Sequence, residues 1–106
     1  LPALAQRALP GTYASHEILQ KLDLLQTMKV FNFAPVETLE AYLDTGANTH
    51  AAAERLAVHV NTLHYRLRRI VEETGIDLSD GIQRLAVHLE LKLRHFALRA
   101  QDRHNL

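Results

Sequence analysis

The chain contains no cysteine, so neither a disulfide framework nor a thiolate metal site can hold it together, and its composition fits a reducing cytoplasm. No long apolar run occurs either, which removes any bilayer-spanning helix and any membrane partner from the expectations. Runs of alternating β-branched residues are missing, and the four glycines and three prolines lie where helices would begin or end. The expected fold is therefore all-α. An excess of one charge is lacking too, because twelve Lys and Arg balance twelve Asp and Glu; any attraction to nucleic acid must arise locally. At 106 residues there is room for one hydrophobic core and not for two. The first residue is Leu1 rather than methionine, and no signal-peptide pattern follows it. The sequence reads as a piece of a longer, cytoplasmic protein.

Chemistry-bearing motifs are equally scarce. No HExxH, Gly-rich phosphate loop or activated nucleophile is present, and the histidine pairs His59 with His64 and His88 with His95 lack the i, i+4 spacing of a helical zinc pair. Neither catalysis, a cofactor nor a metal is expected.

What remains is helical periodicity. After Ser15, a possible N-cap, Ile18, Leu22, Leu25 and Met28 recur at three- and four-residue spacing, with Leu19 and Leu24 widening the stripe, and predict a helix over 16–31. Pro35 at a first helical position and Gly46 as a left-handed stop predict a short helix over about 35–45. Asn48 or Thr49 can cap the next helix, which holds Ala52, Ala53 and Leu56. A further helix runs from Val60 to Thr74 with Gly75 as its stop, and a long one from about 81 to 99 follows a cap at Ser79 or Asp80. In that last helix Ile82, Leu85, Ala86, Leu89, Leu93 and Phe96 form one apolar stripe, and Val87, Leu91 and Leu98 a thinner one nearly opposite. Such a helix is either sandwiched within the domain or shared with a second copy.

Between the third and fourth helices only Ala57–His59 remain for a turn. A helix-turn-helix crosses two helices at roughly 90–120° through a turn of about 3–4 residues, which demands small residues at the crossing. Ala53 and Ala57 meet that demand, Leu56 and Val58 bracket the turn, and Leu63, Leu67 and Ile70 mark the inner face of the following helix. Its opposite face then carries Asn61, His64, Tyr65, Arg68 and Glu72. Between Ala53 and Ile70 one acid, Glu54, stands against four arginines, Arg55, Arg66, Arg68 and Arg69.

The segment "TLEAYLDTGANTHAAAERLAVHVNTLHYRLRRIVEETGIDLSD", followed by "RLAVHLELKL", resembles the C-terminal DNA-binding domain of the PucR/CdaR family of bacterial transcription regulators, whose turn region is related to Fis-type helix-turn-helix units. The likeness covers roughly residues 36–98 and is most specific in "VHVNTLHYRL". It implies sequence-specific binding of double-stranded DNA by a domain attached to an upstream, effector-sensing region. The family commonly carries a basic residue at the position of Val60 and often another at His64. Here the first offers only apolar contact, for instance to a thymine methyl, and the second an imidazole.

These readings predict a helical bundle containing a helix-turn-helix with a long C-terminal helix. The domain spans 35–100, behind a helical lead-in or linker over 1–34 and before a tail over 101–106. Asn61 and His64 are candidates for base edges, with Val60 beside them. Thr62, Tyr65, Arg66, Arg68 and Arg69 are candidates for phosphate or mixed contacts, His59 for the turn at the edge of the interface, and Asn48 and Thr49 for a phosphate at the start of the third helix. A homodimer reading two half-sites is the expected assembly. The rival expectation is a helical dimerisation or interaction module that has kept the fold and lost DNA binding.

Overall fold

The computed structural model describes residues 12–104, with side chains described for 15–100. Five helices occur there: α1 (Thr12–Thr27), α2 (Pro35–Asp44), α3 (Thr49–Arg55), α4 (Val60–Thr74) and α5 (Gly81–His104). Among the described residues there is no strand. The all-α expectation holds, while residues 1–11 of the lead-in expected over 1–34 lie outside the described residues.

Three successive helices stop by the same device. A left-handed residue follows the C-cap, its N–H bonds back to one carbonyl, and the next N–H reaches one residue further back. After α1 the left-handed residue is Lys29 (φ 57°), with Lys29 N donating to Gln26 O and Val30 N to Leu25 O. After α2 it is Gly46 (φ 70°), with bonds to Leu43 O and, from Ala47, to Tyr42 O. After α3 it is Ala57 (φ 56°), which donates to Glu54 O while Val58 donates to Ala53 O. The Gly46 stop was legible in the sequence; the Lys29 stop was not. α1 consequently ends at Thr27 rather than at Phe31. Its other end is also corrected, since the helix is already running at Thr12 and Ser15 is fully buried within it instead of capping it. In sequence a small polar residue at a packed helix position looks the same as a cap.

The helix starts follow the expected chemistry. Asn48 Oδ1 accepts from Ala51 N at 3.0 Å to cap α3. His59 Nδ1 accepts from Asn61 N at 3.0 Å to cap α4. Asp80 Oδ1 accepts from Ile82 N at 3.0 Å to open α5. With no glycine or proline after Gly81, nothing stops α5 at residue 99, and it runs on to His104, through most of the span where a tail was expected.

α2 lies at the centre, packed on all four other helices. The core has two joined parts. The larger combines Ile18, Leu19 and Leu22 of α1 with Leu39 and Leu43 of α2, Ile70 of α4, Ile76, and Val87 and Leu91 of α5. The smaller is the helix-turn-helix contact itself, Ala52 and Ala53 against Leu63 and Leu67, and Tyr42 and Leu78 pack against both parts. The core thus reaches upstream of residue 35. Leu24 and Met28, expected on the buried stripe of α1, are exposed. That helix buries only a narrow strip, on α5, α2 and α4, and among the described residues none covers its flank.

On α5 the thinner stripe is the buried one at Val87 and Leu91, which are fully enclosed, although its third member Leu98 is exposed, and the broad stripe faces solvent. The helix is fastened along its sides by polar contacts. Lys92 Nζ lies 2.8 Å from Asp44 and 3.3 Å from Glu40, His88 Nε2 lies 2.7 Å from Asp44, and His95 Nε2 lies 2.8 Å from Glu40. Partial burial disfavours the charged form of Asp44, but hydrogen bonds and charge from Lys92 and His88 outweigh it and hold the carboxyl below its ordinary value. The same hydrogen bond to Asp44 raises Lys92 above the ordinary lysine value.

The structure divides the small-residue signal into two roles. Ala53 is buried at the crossing, whereas Ala57, expected there too, is exposed and serves by its left-handed backbone. Ala53→Leu should therefore lower folding stability by about 1–3 kcal/mol through overpacking. Ala57→Gly should raise it by about 0.5–1 kcal/mol, because glycine adopts positive φ without the side-chain penalty. Denaturant midpoints of the two variants should move in opposite directions, and a shift of both the same way would contradict this division.

Candidate nucleic-acid interface

Leu63, Leu67 and Ile70 are buried along the inner face of α4, and this anchoring decides what the other face presents. Asn61, Thr62, His64, Tyr65, Arg68 and Glu72 are all exposed, as the 100° periodicity requires. The turn from Leu56 to His59 sets where the helix begins. His59 contributes to it as the cap, with Nδ1 already accepting a backbone hydrogen bond. Val60 is half-buried and packs against the alanine contact, so its position in the first turn serves packing as well as display.

The three arginines of α4 separate into distinct environments. Arg68 is exposed and pairs with no other described side chain. Arg66 lies with its guanidinium carbon 5.2 Å from the centre of the Phe33 ring. Arg69 lies 5.6 Å from the centre of the Phe31 ring, and its Nη1 donates to Glu73 Oε1 at 3.0 Å, with Glu72 3.9 Å away. Phe31 and Phe33 are themselves in contact, with ring centres 5.1 Å apart. The loop between α1 and α2 thus builds an aromatic platform along the flank of α4, and the guanidinium groups are held over ring faces. Sequence reasoning missed this platform. Phe31 was expected at the end of the first helix, and Phe33 two residues before Pro35 carries no helical period.

The first turn of α3 is also occupied. Asn48 Oδ1 accepts from Ala51 N, one of the free donors a phosphate would use, and Thr49 opens the helix beside it. Arg55 at the other end of α3 pairs with Asp44 at 3.3 Å. Among the described residues Asn61, Thr62, His64, Tyr65 and Arg68 have no side-chain partner within the domain. Nor do the described residues contain a group of three or more His, Asp or Glu arranged to hold a metal, or a helix long and apolar enough to cross a membrane.

The model of the PucR C-terminal helix-turn-helix domain matches residues 36–93, more than half of the chain. The chain belongs to this family. It is a DNA-binding domain of a transcriptional regulator. The relatives agree. The DNA-binding transcriptional activator AdeR of Bacillus subtilis is 44% identical over 63 residues, which are 59% of this chain and 15% of that protein. The proline-responsive transcriptional activator PutR of the same organism is 48% identical over 58 residues, 55% of this chain and 14% of its own length. The carbohydrate diacid regulator of Escherichia coli is 37% identical over 93 residues, 88% of this chain and 24% of that protein. The chain therefore spans a quarter or less of the length of these relatives. No solved structure matches it.

The PucR-family match begins at residue 36 and so leaves out the aromatic platform, whose role can be measured separately. A double-mutant cycle on Phe33→Leu and Arg66→Ala should return a coupling of about 0.5–1 kcal/mol in folding stability, the range of an exposed cation–π pair. Additive effects would mean that Arg66 stands over the ring without being held by it.

Proposed function

We propose that α4 lies in the major groove of duplex DNA and reads it through Asn61 and His64. Thr62, Tyr65, Arg68 and Arg66 contact phosphates or the edges of the groove, and α3 crosses behind as the supporting helix. The observation that carries this reading is the contrast between two helices. Every polar side chain of α5 from Gln83 to His95 hydrogen-bonds or lies within ion-pair distance of a partner in the domain. On the outward face of α4, by contrast, Asn61, Thr62, His64, Tyr65 and Arg68 are left for something else, and Glu72 turns to Arg69. A row that holds an amide, an imidazole, a phenol and a guanidinium at helical spacing suits base edges and phosphates.

In this reading Arg69 is a structural residue, because its charge is matched by Glu73 and Glu72. Val60 provides a methyl-bearing contact at the groove, and His59 orients the start of the reading helix. Asn48 and Thr49 stand near the backbone that α3 crosses, with the Asn48 cap competing for the same N–H groups as a phosphate would. The domain has one reading helix, so a homodimer on two half-sites about 34–36 Å apart is the matching assembly. The regulator is cytoplasmic, performs no catalysis in this domain, and binds any effector outside these 106 residues; the greater length of AdeR and PutR supports that division.

The test separates the arginines. Arg68→Ala should weaken specific and non-specific duplexes alike and flatten the dependence of log K on log salt by about 0.9 for each phosphate it no longer neutralises. Arg69→Ala should leave that slope unchanged. Asn61→Ala should instead relax preference at one operator position by about 1–3 kcal/mol. Equal slopes for wild type and Arg68→Ala in a folded protein would remove this face from the interface.

A further inference from the structure

The outward side of α5 is the largest feature that the DNA-reading surface leaves unused. Ile82, Leu85, Leu89, Leu93 and Phe96 are each between 56 and 72% exposed on a helix whose opposite side is fully buried through Val87 and Leu91. The side chains that solvent reaches there offer roughly 600 Å² of apolar surface, at the top of the range for the largest patch on a monomeric soluble protein.

We infer that this stripe is the seam against α5 of a second copy of the chain, an inference that rests on the DNA-binding reading only for its biological purpose. Three observations point to this occupant. First, Ile82, Ala86, Leu89, Leu93, Phe96 and Ala100 follow one another at alternating spacings of four and three residues. That 3.5-residue repeat is what a helix packed along another helix requires. Second, the seam carries no charge, and the flanking charges Lys92 and Glu90 are drawn away, while Arg99 stands exposed at its far end. Lys92 on one edge turns to Asp44 and Glu40 on α2, and Glu90 on the other lies 3.6 Å from His16 on α1. A charge-free stripe is complementary to itself and has no like-charge repulsion to overcome across a two-fold axis. Third, the seam together with Leu85 at its edge offers about 600 Å² on each copy, so complete burial on both would reach about 1,200 Å², the lower bound of a standard stable interface.

Sedimentation equilibrium of the 106-residue chain without DNA tests the seam. The mass should rise from the 12.0 kDa of one chain toward twice that value as concentration increases from micromolar to about 1 mM. Leu89→Glu and Leu93→Glu, made separately, should each hold the chain at the monomer mass with unchanged helical circular dichroism, since both positions are solvent-facing in the single copy. Leu98→Glu, an exposed position off the seam, should dimerise as wild type does. A chain that stays monomeric throughout, as it would if another part of a longer regulator covered the stripe, overturns the inference. So does a dimer that survives both seam substitutions. The DNA reading stands apart from these results: a monomeric chain that still binds duplex through α4 overturns only the seam, and a dimer that binds no duplex overturns only the reading of α4.

Discussion

The close approach of α3 to α4 is the constraint on which the surface of the domain depends. Ala52 and Ala53 are both buried against Leu63 and Leu67, and no larger residue at either position would let the backbones meet. The left-handed Ala57 then turns the chain within four residues, and His59 caps the new helix. Once Leu63, Leu67 and Ile70 are fixed inward, the outward residues of α4 have no freedom of choice. Display follows from packing, and function follows from display.

Packing also explains why the rest of the molecule is larger than a helix pair. A seven-residue α3 and a fifteen-residue α4 bury too little apolar surface to stand alone. α2 supplies Leu39, Leu43 and the linking Tyr42, and α1 and α5 complete the larger part of the core around Ile70 and Ile76. The carboxylates of α2 hold α5 through Lys92, His88 and His95, which leaves α5 with an apolar outer face and α4 with a polar one. Two helices of similar amphipathic pattern thus present opposite chemistry to the surroundings.

Much of this was legible in the sequence because it is local. The Asn48 and His59 caps, the Gly46 and Gly75 stops, the span of α4 and its inner leucines all depend on residues within a turn or two of one another. What escaped depends on long-range partners. The aromatic platform needs Phe31 and Phe33 brought beside Arg69 and Arg66, and the carboxylate ladder joins Glu40 and Asp44 to residues about fifty positions away. Periodicity found both apolar stripes on α5 but could not tell which one was inside, because the wider stripe is the exposed one. Ala57 was expected as a small residue at the crossing, yet its exposure and positive φ show that conformation, not space, is the reason.

The central claim is that the outward face of α4 meets DNA. An NMR titration of the isotope-labelled chain with a short duplex at low salt tests it most directly. The largest shift changes should fall on residues 59–68 of α4 and its preceding turn, with α1 and the outer face of α5 unaffected. Changes concentrated on α1 or α5, with residues 59–68 silent, would contradict it.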